Sequence, residues 1–187
     1  TLAHELRNPL SPISNALQLW QSVEQNPAEM ERLRGLMERQ VRQMTRLIDD
    51  LMDVSRITRG KIHLRRQSVD LATLVAGAVE AVRPMIDAHH HQLVVDLPAE
   101  PIWVDGDVAR LTQVFANILN NAAKYTSKGG EIRVAASRTN GQAVVRIRDN
   151  GPGIPPQMLS AIFDAFRQVD ETLDRAHGGL GIGLTLV

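Results

Sequence analysis

The chain has 187 residues, a length that allows one or two domains. Its 21 basic and 21 acidic residues balance, so the composition gives no indication of a nucleic-acid-binding surface. It contains no cysteine, which excludes disulfides and thiolate metal sites and fits a reducing cytoplasm. No apolar run approaches the roughly 18–20 residues that cross a bilayer. We therefore expect a cytoplasmic chain without membrane contact of its own, and we place any membrane anchor of the full protein outside it.

Two helices with apolar seams are predicted at the start of the chain. In the first helix, apolar residues recur at alternating spacings of four and three, as in a heptad seam; they are Leu2, Leu6, Leu10, Ile13, Leu17 and Trp20. Asn26-Pro27 predicts the start of the second helix, with Asn26 as the N-cap and Pro27 at the first position. Its wider stripe comprises Met30, Leu33, Leu36, Met37, Gln40, Val41, Met44, Leu47, Ile48, Leu51 and Val54.

A lone hairpin cannot bury so broad an apolar face. The sequence therefore favours a homodimer in which two hairpins form a four-helix bundle. The alternative is a hairpin that packs on its own second domain. His4 is two residues, or about 200°, from Leu2 and from Leu6, so it is expected to face solvent together with Asn8. Pro9 removes a helical hydrogen bond and is expected to kink or loosen the first helix.

The rest of the chain predicts a two-layer α+β domain after a linker over residues 58–66. The pattern is helical from Asp70 to His89 and again from about Asp107. Short strands are predicted at 93–97, at 102–104, around Ile132 and around Val145, with Asn140-Gly141 as a hairpin turn. We expect a mostly antiparallel sheet. The consecutive histidines at 89–91 are expected to end a helix, because side chains 100° apart cannot converge on one metal ion.

One face of the helix that is predicted from about Asp107 bears Asn117, Asn121 and Lys124, at spacings of four and three. Amide oxygens are suitable ligands for Mg²⁺, and a lysine beside them suits phosphate oxygens. Taken alone, such a stripe also fits an ordinary solvated face. The core-facing side of the same helix is predicted to consist of Leu111, Phe115, Ile118, Ala122 and Tyr125.

Asp149 ends a strand in which Val145 and Ile147 alternate with arginines, so its parity predicts that it points to the interior. A buried carboxylate needs a hydrogen-bond donor, and the exocyclic amine of a purine would serve. Gly151 and Gly153 would let the backbone approach a flat ligand closely, although this segment is also ordinary turn chemistry.

The third segment, residues 178–184, is rich in glycine and predicts a loop that enters a helix, where free N–H groups favour phosphate. It is not a Walker A loop, because no Gly-Lys-Ser/Thr follows.

In this order, the segments resemble the ATP-binding domain of sensor histidine kinases of two-component systems. The N box, first glycine box, F box and second glycine box of that family correspond to Asn117–Tyr125, Asp149–Gly153, Phe163–Phe166 and Gly179–Leu184. The start of the chain, from His4 to Leu10, is similar to the family's H box, which carries the phosphorylated histidine. Two positions depart from the usual pattern: Leu180 stands where many members have threonine, and Ala165 where many have proline.

The resemblance implies three segments. Residues 1–57 form a dimerisation and histidine phosphotransfer hairpin, 58–66 a linker, and 67–187 an ATP-binding domain of the histidine kinase, gyrase and chaperone type. We expect this last domain to be incomplete at its C-terminal end, because further elements follow this point in the family. The motifs do not specify whether a receiver domain follows, as in a hybrid kinase.

The resemblance also implies the roles of single residues. His4 attacks the γ-phosphate of ATP, Glu5 orients its imidazole, and Asn8 orients water for a phosphatase activity. Asn117 and Asn121 hold Mg²⁺, Lys124 and Tyr125 contact phosphates, and Asp149 binds the adenine amine. The other nucleotide-binding residues implied are Gly151, Gly153, Ile154, Phe166, Gly179, Leu180, Gly181, Gly183 and Leu184. Phe163 and Phe166 would anchor a lid over ATP.

The implied function is ATP-dependent autophosphorylation on His4, followed by transfer to an aspartate of a response-regulator receiver domain. One rival is a degenerate kinase kept as a dimeric scaffold, but the asparagines, Asp149 and the glycines of its motifs are present. Another rival is an ATPase of the mismatch-repair, gyrase or chaperone type. A hairpin that bears His4-Glu5 directly upstream is not expected of those proteins.

Overall fold

The computed structural model describes residues 2–23, 26–59, 62–165 and 181–187. The chain divides into two compact units. The first contains a helical hairpin of α1 (Leu2–Trp20) and α2 (Pro27–Thr58). The second comprises Ile62–Phe163 and Gly183–Val187 and is an α/β domain. Within the described ranges, no helix combines the length and the apolar character needed to cross a membrane.

Helix α1 remains α-helical through Pro9 and Pro12. The two helices pack against each other, and Pro9 and Ala16 of α1 and Leu33 and Leu47 of α2 are buried. The predicted start of α2 is confirmed: Pro27 is its first residue, and the Asn26 side chain accepts a hydrogen bond from Glu29 N at 3.3 Å.

Much of the predicted heptad seam remains exposed in a single hairpin. Leu10 is 48% exposed and Leu17 is 59% exposed, and Val41, Ile48 and Met52 of α2 are similarly accessible. Large apolar side chains of both helices thus lie at the surface of the hairpin.

The second unit contains two sheets rather than the one mostly antiparallel sheet expected. Its elements are β1 (Gln67–Asp70), α3 (Leu71–Ala88), β2 (Gln92–Asp96), β3 (Trp103–Gly106), α4 (Val108–Tyr125), β4 (Glu131–Thr139) and β5 (Gln142–Asp149). Strands β1 and β3 form an antiparallel ribbon, and the other sheet has the order β2-β4-β5. Strand β1 was not predicted, and β2 pairs with β4 in parallel. The connection between these two strands includes α4, as parallel pairing requires a long crossover.

The hairpin turn between β4 and β5 is confirmed. Asn140 and Gly141 have φ values of 51° and 79°, the left-handed pair that a tight two-residue turn requires. The register that follows pairs Ile132 with Asp149 and Val134 with Ile147. Ile132 and Val134 are almost completely buried, so this face of the sheet contributes to the core.

Helices α3 and α4 pack against each other and share a core with the sheet. The core residues of α3 include Val75, Ala78 and Val82. Both helices begin at an aspartate N-cap: Asp70 accepts from Ala72 N, and Asp107 accepts from Arg110 N.

The Asp107 carboxylate also accepts a hydrogen bond from Arg65 N at 2.9 Å, and this bond and the Arg110 bond hold its pKa below the ordinary value. The pKa of Asp107 is lower in the folded state than in the unfolded state. Its hydrogen bonds therefore contribute their full stabilisation above the ordinary aspartate pKa. This stabilisation is lost as the pH falls through the lowered pKa.

The predicted core face of α4 is wrong in part. Leu119 and Ala123 are fully buried, whereas Ile118 is only half-buried and Tyr125 is 43% exposed. Phe115 and Ala122 are in the core as predicted. The buried stripe is therefore rotated by about one residue, because α3 covers α4 on one side as the sheet covers it on another.

Candidate functional site

Helix α4 connects two of the predicted nucleotide-binding motifs. The side-chain amide of Asn117 donates from Nδ2 to the carbonyl oxygen of Gly183 at 3.0 Å, across 66 residues of sequence. Gly183 begins a single 3-10 turn, Gly183–Leu186, where the sequence predicted the start of a helix. The N box and the second glycine box thus meet at α4, and this bond does not use the Oδ1 atom of Asn117, which can accept from or ligate another group.

Lys124 and Tyr125 form a polar pair at the C-terminal end of α4. The Lys124 ammonium donates to the Tyr125 hydroxyl at 2.9 Å and lies 4.6 Å from the centroid of its ring. Tyr125 is therefore part of a polar surface and not of the core, which corrects its predicted burial. Asn121 is half-buried on the same helix, three residues before Lys124.

Asp149 is exposed, which corrects the prediction that it points into the interior. It has the parity of the partly buried Val145 and Ile147, but it is the last residue of β5, where the buried face of the sheet ends. Its Oδ1 atom accepts a hydrogen bond from Gly151 N at 2.9 Å. The carboxylate is thus oriented by its own turn and keeps acceptor capacity for a ligand amine.

Gly151 allows the Asp149 turn to approach the end of α4. A β-carbon at this position would lie 2.8 Å from Asp149 Oδ1, 3.2 Å from the carbonyl oxygen of Tyr125 and 3.3 Å from Thr126 Oγ1. Such distances leave no space for a side chain. Gly153 has a φ of 75°, so this glycine is required by its backbone conformation and not by crowding. Ile154 follows and is 43% exposed.

Asn150 is a site residue that the sequence analysis missed. Its Oδ1 atom accepts from Glu131 N at 2.9 Å, and its own N–H donates to Glu131 O at 3.3 Å. This pair of bonds fixes the Asp149 turn to the first residue of β4. Asparagine often bonds backbone groups at turns, but the partner is 19 residues away in sequence, so no local pattern identifies it.

The remaining predicted site residues are distributed as follows. His4 and Glu5 belong to helix α1, but their side chains lie outside the described part of the chain, as do Phe166, Gly179 and Leu180. Asn8 is exposed on α1. Phe163 is 53% exposed, Leu184 is half-buried in the 3-10 turn, and Gly181 has a φ of 65°.

The arrangement around α4 fits an adenine nucleotide chemically. At one end, a carboxylate that is held by a backbone N–H can accept from an exocyclic amine. Along α4 follow an ammonium and two carboxamides, which suit phosphate oxygens and a hard cation. Gly151 lets the turn that carries this carboxylate pack closely against the end of α4.

Two family models match the chain. Residues 1–60 match the His Kinase A (phospho-acceptor) domain, and residues 106–187 match the histidine kinase-, DNA gyrase B- and HSP90-like ATPase. Over 189 residues the chain is 35% identical to the probable sensor histidine kinase TcrY of Mycobacterium tuberculosis; the match covers 99% of this chain and 38% of TcrY. The chain spans between about a fifth and a half of the length of the curated relatives it matches.

Solved structures show the same fold. The histidine kinase AdeS of Acinetobacter baumannii superposes with a TM-score of 0.71 at 24% identity, over 97% of this chain and 83% of AdeS. The histidine kinase ThkA, solved in complex with the response regulator TrrA, gives a TM-score of 0.62 at 20% identity, over 94% of this chain and 52% of ThkA. With both domains matched in order and the predicted ATP-binding motifs meeting at α4, the chain belongs to the sensor histidine kinases of two-component systems.

Proposed function

We propose that this chain catalyses ATP-dependent autophosphorylation on His4 and passes the phosphoryl group to an aspartate of a response-regulator receiver domain. The observation that carries the proposal is the convergence of three nucleotide-binding motifs on α4. Asn117 holds the second glycine box through Gly183, and the Asp149–Gly151 turn lies against the carbonyl of Tyr125. A protein that had lost nucleotide binding would not be expected to keep these contacts together with the H-box histidine.

In the proposed reaction, an imidazole nitrogen of His4 attacks the γ-phosphorus as the bond to the β-phosphate oxygen breaks and ADP leaves. Glu5 accepts a hydrogen bond from the other ring nitrogen and orients the ring. Asp149 binds the adenine amine, and Lys124 with Tyr125 binds phosphate oxygens. Asn117 and Asn121 would hold Mg²⁺, which neutralises phosphate charge when it is bound.

The decisive experiment for this proposal is labelling with γ-³²P-ATP and Mg²⁺, comparing the wild-type chain with His4→Gln. We expect an acid-labile, alkali-stable label on the wild type and its loss in the variant, because glutamine has no nucleophilic ring nitrogen. Release of free phosphate without protein label would favour an ATPase of the same superfamily. Label that persists in His4→Gln would place the phosphoacceptor elsewhere.

We also propose a phosphatase role for Asn8, whose exposed position on α1 is four residues after His4. Asn8→Ala should leave autophosphorylation within about twofold of the wild type while it slows dephosphorylation of the regulator at least tenfold, since the orienting amide is lost. The measurement is the decay of phospho-regulator with Mg²⁺ and ADP present. Equal loss of both activities would show that the two roles are not separate.

The homodimer is proposed from the apolar side chains that a single hairpin leaves exposed, such as Leu17 and Ile48. A second hairpin would cover them in a four-helix bundle. Sedimentation equilibrium should give twice the chain mass of 20.7 kDa, and a monomer at tens of micromolar would contradict the bundle.

A further inference from the structure

We propose that His91 is a positioning residue for phosphate binding. It acts by holding the C-terminal end of α4 in place. The inference rests on the proposed function, since Lys124 and Tyr125 at that end are the residues assigned to the phosphates. His91 itself does not belong to any of the nucleotide-binding motifs, and it follows α3 in a separate loop.

The main contact is a hydrogen bond from the His91 ring to the backbone of α4. Nε2 of His91 lies 3.0 Å from the carbonyl oxygen of Ala123, 32 residues later in the sequence. A carbonyl only accepts, so Nε2 carries the proton and donates. Ala123 is in the last turn of α4, where carbonyl groups have no partner within the helix. The imidazole therefore satisfies one of these groups directly before Lys124.

The loop that carries His91 is itself tied to the residues that follow α4. Gly129 N donates to the carbonyl of His89 at 3.0 Å, and Gln92 N donates to the carbonyl of Gly130 at 2.8 Å. Together with the ring of His91, these bonds fix the end of α4 and the following loop against the α3–β2 loop. The Asp149 turn contacts the same end of α4 through Gly151, but Asn150 also fixes it to Glu131 of β4, so the base subsite has a support that does not depend on His91.

His91 has the environment of a rigid support. The residue is only 8% exposed, and its ring stacks on that of His89 with centroids 5.5 Å apart and planes 6° from parallel. Its Nδ1 atom is buried without a hydrogen-bond partner within the described residues. A buried imidazole with an unsatisfied nitrogen costs free energy, so it is not favoured merely to fill a core. Its presence is explained if the other nitrogen holds a functional helix end.

The test compares His91→Leu, His91→Gln and His91→Asn with His89→Leu as the matched control. Glutamine can carry an amide donor to the Nε2 position, but asparagine is too short to reach it. Within the described residues, the His89 ring bonds the carbonyl of Met85 and stacks on His91 but makes no hydrogen bond to α4, so its loss removes the stacking and leaves the Ala123 bond in place. Titration calorimetry at 25 °C with Mg²⁺-ATP and with adenosine separates the phosphate subsite from the base subsite.

For His91→Leu and His91→Asn, we expect the Kd for Mg²⁺-ATP to rise about five- to tenfold, the factor that corresponds to one lost hydrogen bond. The Kd for adenosine should change less than twofold, and His91→Gln and His89→Leu should bind ATP as the wild type does. Equal weakening of ATP and adenosine, or unchanged ATP binding by His91→Asn, would overturn the positioning role. A wild-type chain that binds neither ligand would overturn the proposed function and this role with it.

Discussion

Asp149→Asn is expected to raise the Kd for ATP between about tenfold and a hundredfold, because a hydrogen bond to a charged group contributes about 1.5–3 kcal/mol. The substitution keeps an oxygen that can accept from Gly151 N, as Oδ1 does now at 2.9 Å, so the turn should retain its conformation. The other atom of the group becomes an NH₂, which faces the amine of adenine with a donor instead of an acceptor. Titration calorimetry with Mg²⁺-ATP measures the loss.

A change of ligand identifies the cause of this loss. Inosine triphosphate has a carbonyl oxygen where ATP has the amine, so Asp149→Asn should bind it better than it binds ATP, in reverse of the wild type. Asp96→Asn is the matched control, because Asp96 is likewise an exposed aspartate at the end of a strand, β2, of the same sheet. If Asp149→Asn and Asp96→Asn bound ATP equally, Asp149 would not be the base-recognising residue.

Local sequence patterns predicted most of the elements of this chain. The Asn26-Pro27 start of α2, the hairpin turn at Asn140-Gly141 and the strand around Ile132 are all confirmed. Each depends on neighbours within a few residues, where capping, turn conformation and alternation act. Asn117 and Lys124 also lie on one helix, as predicted. The helical repeat fixes the spacing between them whatever the tertiary fold.

The features that the sequence did not predict depend on contacts between distant segments. Tyr125 follows the apolar period of α4, but α3 and the sheet cover the side that bears Leu119 instead. Asp149 has the parity of a buried residue but lies where the covered face ends. The bonds of His91 to Ala123 and of Asn150 to Glu131 join segments 32 and 19 residues apart. Periodicity contains no information about such pairs.

Asn117→Asp is expected to reduce autophosphorylation on the order of a hundredfold, although aspartate is a better ligand for Mg²⁺ than asparagine. The reason is the bond from Asn117 Nδ2 to Gly183 O at 3.0 Å. Aspartate replaces this donor with a negatively charged oxygen that faces a carbonyl, so the second glycine box loses its attachment to α4. Asn117→Ala should be impaired to a similar degree, because it loses both the metal ligand and the donor.

The comparison of the two variants separates the roles of Asn117. The measurement is the initial rate of label incorporation over a range of Mg²⁺ concentrations. Asn120→Ala is the control, because Asn120 is an asparagine of the same helix to which no nucleotide or metal role is assigned. If Asn117 were only a metal ligand, Asn117→Asp would retain activity and its Mg²⁺ requirement would fall. If it also holds the glycine box, excess Mg²⁺ should rescue neither variant, because the lost interaction is one within the protein. The Asn117 amide is then required both as a hydrogen-bond donor to Gly183 O and as an oxygen ligand to the cation. No other side chain of this size provides both functions.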